Sequence, residues 1–322
     1  MKVDTANLRM WSKLGMRGTL GMIMMDLAQD INDLVVLSAD LSITSGLDRF
    51  RKSYPDKFYN VGIAEQNMVG IAAGLAKEGC VVFATTFANF ISMRAYEQVR
   101  LNLGYMRFPV KIVGLSSGFA MGMFGNTHYG MEDISLMRSI PNLVVVSPAD
   151  TLEFAKSLWA LAHDPRPAYL RLSGGANLPM VYNSDYDFSI GKAIQLKEGE
   201  NVAIFATGIM VKKCLEAALI LDGKGVRASV VNIPTIKPLD TDSVQRICDT
   251  HRFIFVVEEH SIVGGIGSSI CEIACQGTVR PVVKRIGIPD QFFLPRTQSS
   301  MLEHLGLVAS SISDTILKTI GD

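Results

Sequence analysis

The sequence has no excess of charge: 31 Lys and Arg stand against 31 Asp and Glu in 322 residues. A balanced surface offers no electrostatic footprint for nucleic acid or an anionic membrane, so neither is an expected partner. No apolar run reaches the roughly 18 residues of a membrane-spanning helix. The methionine-rich stretch Leu20–Met25 is cut short by Asp26 and reads as a core helix. Met1–Asn7 lacks the basic-then-apolar order of a secretory signal, which leads to an expected cytoplasmic location. Cysteine is sparse and odd in number: Cys80, Cys214, Cys248, Cys271 and Cys275. Cys271 and Cys275 lie one helical turn apart, yet no second Cys or His pair is near, so free thiols and no metal site are expected. There is no Gly-x-Ser-x-Gly elbow, and the five histidines show no triad spacing, which excludes a recognisable serine hydrolase. Gly265-Ile266-Gly267 approaches a dinucleotide loop, but Ile270 replaces the third glycine and the motif lies late in the chain. Tight strand-to-helix packing is its better reading.

What is present is a large apolar core, 48% of residues being hydrophobic, in a chain long enough for about two domains. Continuous apolar runs at Leu34–Ser38, Val81–Ala84, Val110–Leu115, Leu143–Ser147 and Tyr169–Leu172 read as buried strands. Helical patterns near Lys13–Asp30, Glu65–Glu78, Ala88–Leu103, Met131–Ser139 and Thr151–His163 separate them. Strands alternating with helices predict an α/β fold with a mostly parallel sheet covered on both faces. Residues 173–201 break the rhythm with glycine, proline and polar residues. Beyond them, strands at Val202–Ala206, Ala228–Ile233, Phe253–Val257 and Val283–Ile286 alternate with helices near Ile209–Leu221, Asp240–Cys248, Gly264–Cys275 and Gln298–Ile320. The expected organisation is a first domain over residues 1–185 and a smaller α/β domain over 186–322.

Three short elements can carry chemistry. Glu65 opens an otherwise apolar, small-residue helix in Tyr59–Ala76. Packing strips such a carboxylate of water, which favours the protonated form able to donate to a ring nitrogen, unless something compensates. The plainer alternative is an acid answering the helix N-terminus. Phe87 and Phe90 are spaced to project together from a strand-to-helix junction, either as core packing or as a slot for a flat ring. His128 ends the loop Gly125-Asn126-Thr127-His128, where a histidine is ordinarily a surface or capping residue.

Together these elements resemble the transketolases. Ser147-Pro148-Ala149-Asp150, Thr235–Asp240 and Val257–Ser268 also look like that family, and the resemblance runs in order over about residues 10–315. It implies a thiamine-diphosphate-binding pyrimidine domain followed by a transketolase C-terminal domain. It also implies Glu65 at the aminopyrimidine N1′, Phe87, Phe90 and Asp40 as cofactor contacts, and His128 facing the reacting carbons. Arg17 and Thr44 fall where the family holds an acceptor's phosphate. Ser116 replaces a family His, Phe124 a family Asp, and Gly174 stands at or near a second phosphate-binding Arg, which puts an ordinary pentose phosphate in doubt. The family's Gly-Asp-Gly, which helps hold Mg²⁺ and the diphosphate, is absent; Asp222-Gly223 sits in an unrelated turn. The resemblance therefore implies the C-terminal half of a split transketolase. Its partner, a diphosphate-binding N-terminal-half subunit, would hold Mg²⁺, in an α₂β₂ assembly with self-association of this chain, acting on sugars or sugar phosphates. The β-subunit of a 2-oxoacid dehydrogenase and a deoxyxylulose-phosphate-synthase-like enzyme are the rivals within this cofactor class. A noncatalytic partner keeping the fold is the rival outside it.

Overall fold

The structure is a computed structural model that describes residues 3–321. The first half runs α1 (Thr5–Asp30), β1 (Leu34–Ser38), α2 (Asp48–Ser53), β2 (Phe58–Asn60), α3 (Glu65–Lys77) and β3 (Val81–Phe87). Two π-helical turns, Phe90–Arg94 and Arg100–Tyr105, flank α4 (Tyr96–Val99). There follow β4 (Lys111–Leu115), a 3₁₀ segment at Gly122–Thr127, α5 (Asp133–Ser139), β5 (Val144–Val146), α6 (Thr151–Ala162) and β6 (Ala168–Arg171). The second half contains β7 (Ile194–Lys197), β8 (Val202–Ala206), α7 (Met210–Asp222), β9 (Ala228–Asn232), β10 (Thr235–Lys237), α8 (Thr241–Thr250) and β11 (Phe253–Ser261). It ends with α9 (Ile266–Ala274), β12 (Val282–Ile288), α10 (Gln298–His304) and α11 (Ala309–Gly321).

Two sheets result, ordered β10-β5-β6-β4-β3-β1-β2 and β12-β11-β8-β9-β7. Within them only β10 and β7 run antiparallel to their neighbours. Every residue of β1, β4 and β8 is buried, as strands covered on both faces must be.

The structure departs from the sequence expectations where local forces win. The helix expected over Ala88–Leu103 is broken into π and α turns. The one expected over Gln298–Ile320 splits at Leu305–Val308, around a left-handed Gly306 (φ 68°). Helix α1 starts at Thr5, ahead of the expected Lys13, and is capped by the Asp4 carboxylate, which accepts from the Asn7 amide at 2.9 Å. It is kinked at Gly15 (φ 70°), where the 173–179 loop packs onto it through Asn177 N–Lys13 O and Leu178 N–Ser12 O bonds. Strands β2 and β10, of three residues each, are too short to show a periodicity. Strand β10 comes from the C-terminal half yet completes the first sheet beside β5.

Buried polar groups join the halves. The Arg171 guanidinium, 2% exposed, donates to Asp133 at 2.8 Å and to the Glu259 carbonyl at 2.8 Å. Asp150 caps α6 through the Glu153 amide at 2.9 Å, and its other oxygen accepts from the Val181 and Tyr182 amides at 2.8 and 2.9 Å. Asp150→Ala therefore removes a helix cap and leaves two inward N–H groups unpaired. A loss of about 3 kcal/mol is expected by chemical denaturation, with an unchanged denaturant slope.

Candidate active site

Parallel α/β sheets place ligands outside the carboxyl ends of their strands. Here four neighbouring strands, β4, β3, β1 and β2, deliver Ser116, Phe87, Asp40 and, across a short turn, Glu65 to that edge.

Glu65 is the first residue of α3 and is 2% exposed. Its two carboxylate oxygens both accept from Nη1 of Arg94 at 2.9 Å. The compensation is a cation, and it comes from a residue that the sequence did not single out. The Arg94 guanidinium also lies 4.2 Å over the Phe90 ring while its own side chain stays half exposed. Phe87 and Phe90 meet edge to face at 5.7 Å between ring centres. The His128 ring stands 5.9 Å from Phe87 and 5.3 Å from Phe90, with Phe124 tilted against its other side at 5.1 Å. Thr127 Oγ1 engages Nδ1 of His128 at 2.9 Å. Glu65, Arg94, Phe90, Phe87 and His128 accordingly form one continuous chain of contacts, in which the Arg94 cation joins the acid to the rings.

A second corner adjoins it through the 119–128 loop. The Arg17 guanidinium donates to Ser116 Oγ at 2.6 Å and lies 3.8 Å from Met121 Sδ; its buried Nε has no partner. Burial lowers the Arg17 pKa, so an anion that pairs with it is stabilised in return. The turn that carries Thr44 packs its backbone against α1 at Arg17 and Gly21. Ser116 itself sits in the left-handed region (φ 57°). At Gly174 (φ 76°) a side chain would be strained and would press on the end of Leu178, so an arginine there is disfavoured.

Asp40 is tied to Asn60. Its carboxylate accepts from Asn60 Nδ2 at 2.9 Å, and its amide donates to Asn60 Oδ1 at 3.0 Å, tying the ends of β1 and β2 together. The Gly265-Ile266-Gly267 motif is occupied from within: the buried Glu258 carboxylate accepts from the Ile266 and Gly267 amides at 2.8 and 2.9 Å. Burial lifts that acid to about 7. Among the described residues no group of three His, Cys, Asp or Glu is arranged to hold a metal ion, and no helix is long and apolar enough to cross a membrane.

The arrangement is an acid-and-aromatic cluster at the strand ends of a two-sheet α/β chain. Residues 12–177 match the model of the transketolase pyrimidine-binding domain, and residues 191–312 that of the transketolase C-terminal domain. The chain is 37% identical, over 88% of its own length and 92% of the relative's, to one of the subunits of an apulose-4-phosphate transketolase from Actinobacillus succinogenes. It is 38% identical, over 92% of each chain, to a 6-deoxy-6-sulfo-D-fructose transketolase subunit from a Clostridium species. A solved split-gene transketolase, an inactive β4 tetramer, superposes with a TM-score of 0.85 at 35% identity, covering 95% of this chain and 97% of that one. This chain belongs to the transketolase family.

Proposed function

We propose that this chain is the catalytic pyrimidine-binding subunit of a split transketolase, which moves a two-carbon ketol unit from a ketose to an aldehyde. The carrying observation is the buried Glu65, paired with Arg94, whose guanidinium lies over Phe90 in the Phe87–Phe90–His128 ring cluster. This slot fits an aminopyrimidine, because it offers a carboxylate for a ring nitrogen and aromatic edges for a flat face. Thiamine diphosphate, when bound, supplies a carbanion centre and an electron sink. Glu65 holds or exchanges a proton at the ring nitrogen N1′, once the half-exposed Arg94 yields its place. Phe90 and Phe87 orient the heterocycle and keep water from it. His128, with Nδ1 engaged by Thr127, presents Nε2 to the donor's oxygens and steadies charge that develops on them. Asp40 fixes the β1 and β2 loop ends beside the cofactor. Residues 1–185 form the pyrimidine domain in this reading, and residues 186–322 the C-terminal domain. Mg²⁺ and the diphosphate belong to an N-terminal-half subunit, with two copies of each chain in a heterotetramer.

Arg17 and Thr44 keep one anion-binding corner, whereas Phe124, Ser116 and Gly174 remove polar grips on a pentose phosphate. Each hydroxyl left without a buried partner costs about 1–3 kcal/mol, enough to shift preference by one to two orders of magnitude. The acceptor is accordingly a branched, deoxygenated or differently anchored sugar. The test is reconstitution with the diphosphate-binding subunit, sizing by light scattering, and a screen of ketose donors against aldehydes. With xylulose 5-phosphate and ribose 5-phosphate, kcat/KM is expected below about 10⁵ M⁻¹s⁻¹, and a higher value would mark an ordinary pentose-phosphate enzyme.

A further inference from the structure

The loop that carries Phe124, Thr127 and His128 is braced inside by the Tyr129 hydroxyl on the Gly122 carbonyl at 2.7 Å and by the Phe119–Tyr129 ring pair, but it belongs to no sheet or long helix. It leaves and rejoins the first half through a bridge between Gly118 and Gly130, and between them holds a short 3₁₀ segment kinked at Gly125. From the first half, Asn89 Nδ2 donates to the Thr127 carbonyl at 2.7 Å, Arg17 lies 3.8 Å from Met121 Sδ, and the Phe87 and Phe90 rings meet that of His128. Other anchors come from the C-terminal half. Asn126 and Phe293 exchange two bonds, Nδ2 to the Phe293 carbonyl at 2.9 Å and the Phe293 amide to Oδ1 at 3.1 Å. The Glu259 carboxylate, 1% exposed, accepts from the Phe119 amide at 3.0 Å and from Gln298 at 2.8 Å. Phe119 and Phe293 stack edge to face at 5.8 Å. The backbones touch as well: a Cβ at Gly122 would lie 2.2 Å from the Arg296 carbonyl oxygen.

We propose that the C-terminal half is a clamp that sets the position of His128, and that Asn126 is its positioning residue. The inference rests on the reading of His128 as a substrate-facing group. The logic is mechanical. A histidine borne on a loop contributes to turnover only if the loop keeps one geometry, and displacements near 1 Å are enough to slow reaction by about a hundredfold. Asn126 is itself exposed, and its side chain bonds to Phe293 instead of Glu65, Phe87 or Phe90, so its effect must pass through the loop. Its reciprocal pair with a backbone unit fixes the 126–128 segment from two sides, whereas a single bond would leave a hinge.

The experiment uses the complex with the diphosphate-binding subunit. Asn126→Ala is expected to lower kcat about ten- to a hundredfold while the donor KM stays within about threefold, the pattern of a lost transition-state geometry. In a His128→Ala background the same change is expected to cost less than about threefold, because the group being positioned is gone. Hydrogen exchange over residues 119–130 and 291–298 is expected to quicken in Asn126→Ala, with the rest of the chain unchanged. Gly122→Ala, a wedge between the two backbones, is expected to act in the same direction. Additive losses in the double variant, or unchanged exchange in both segments, would overturn the clamp. An inactive wild-type complex, or full activity in His128→Ala, would instead overturn the functional reading, and the exchange measurement then decides the clamp alone.

Discussion

Purified by itself, this chain is expected to show no ketol transfer and little affinity for thiamine diphosphate, with activity restored on mixing with the diphosphate-binding subunit. The reasoning is one of missing contacts. In the proposed reading Glu65, Phe87 and Phe90 would meet only the aminopyrimidine end of the cofactor, and no metal-holding group of His, Cys, Asp or Glu is found among the described residues. A diphosphate held by nothing contributes no binding energy, while its charge still has to be kept in water. Melting curves give a direct check, because a ligand at about 100 times its Kd stabilises the folded state by about 2.7 kcal/mol. A cofactor-dependent shift is expected for the mixed subunits and not for the lone chain. Robust turnover by the highly purified single chain would refute the split-site reading.

Glu65→Gln is expected to cut turnover of the assembled enzyme by at least about a hundredfold, the usual scale for a positioned acid–base group. The amide is nearly isosteric and keeps a donor and an acceptor, so the pocket's shape survives. What it loses is the exchangeable proton and the charge that pairs with Arg94. Because Arg94 is half exposed, its guanidinium turns to water when the partner is neutral, and the fold is expected to stay intact by circular dichroism. A variant with near-normal rate would return Glu65 to the plainer role of a helix-start acid.

How much of this site the sequence disclosed depends on the range of the forces involved. Glu65 was legible because an acid among small apolar residues is locally anomalous. Phe87, Phe90 and His128 were legible as a family pattern, and the structure brings all three within ring contact. Arg94 was not legible. It is one of many arginines in the chain, and its claim on Glu65 arises only when the π-helical turn at Phe90–Arg94 folds back on α3. The pairing of Asp40 with Asn60 was hidden for a similar reason, since it spans two loops and needs Asp40 in a left-handed conformation (φ 58°). Most buried strands announced themselves as unbroken apolar runs, and β1 and β8 have the expected limits. Strands β2 and β10 are fixed by pairing with neighbours that are distant in sequence, which no local pattern records.

Strand β10 has a consequence for how the chain tolerates being divided. The polar stretch before β7 invites a cut into an N-terminal and a C-terminal piece, but β10 lies beyond that cut and closes the first sheet beside β5. A fragment that ended there would carry Val144, Val145 and Val146 on a bare edge, with amides and carbonyls open to any passing strand. Such an edge is a template for intermolecular zippering. The fragment would therefore tend to swap strands or form fibres, and the three residues Thr235–Lys237 act in the intact chain as its guard against self-assembly of the wrong kind.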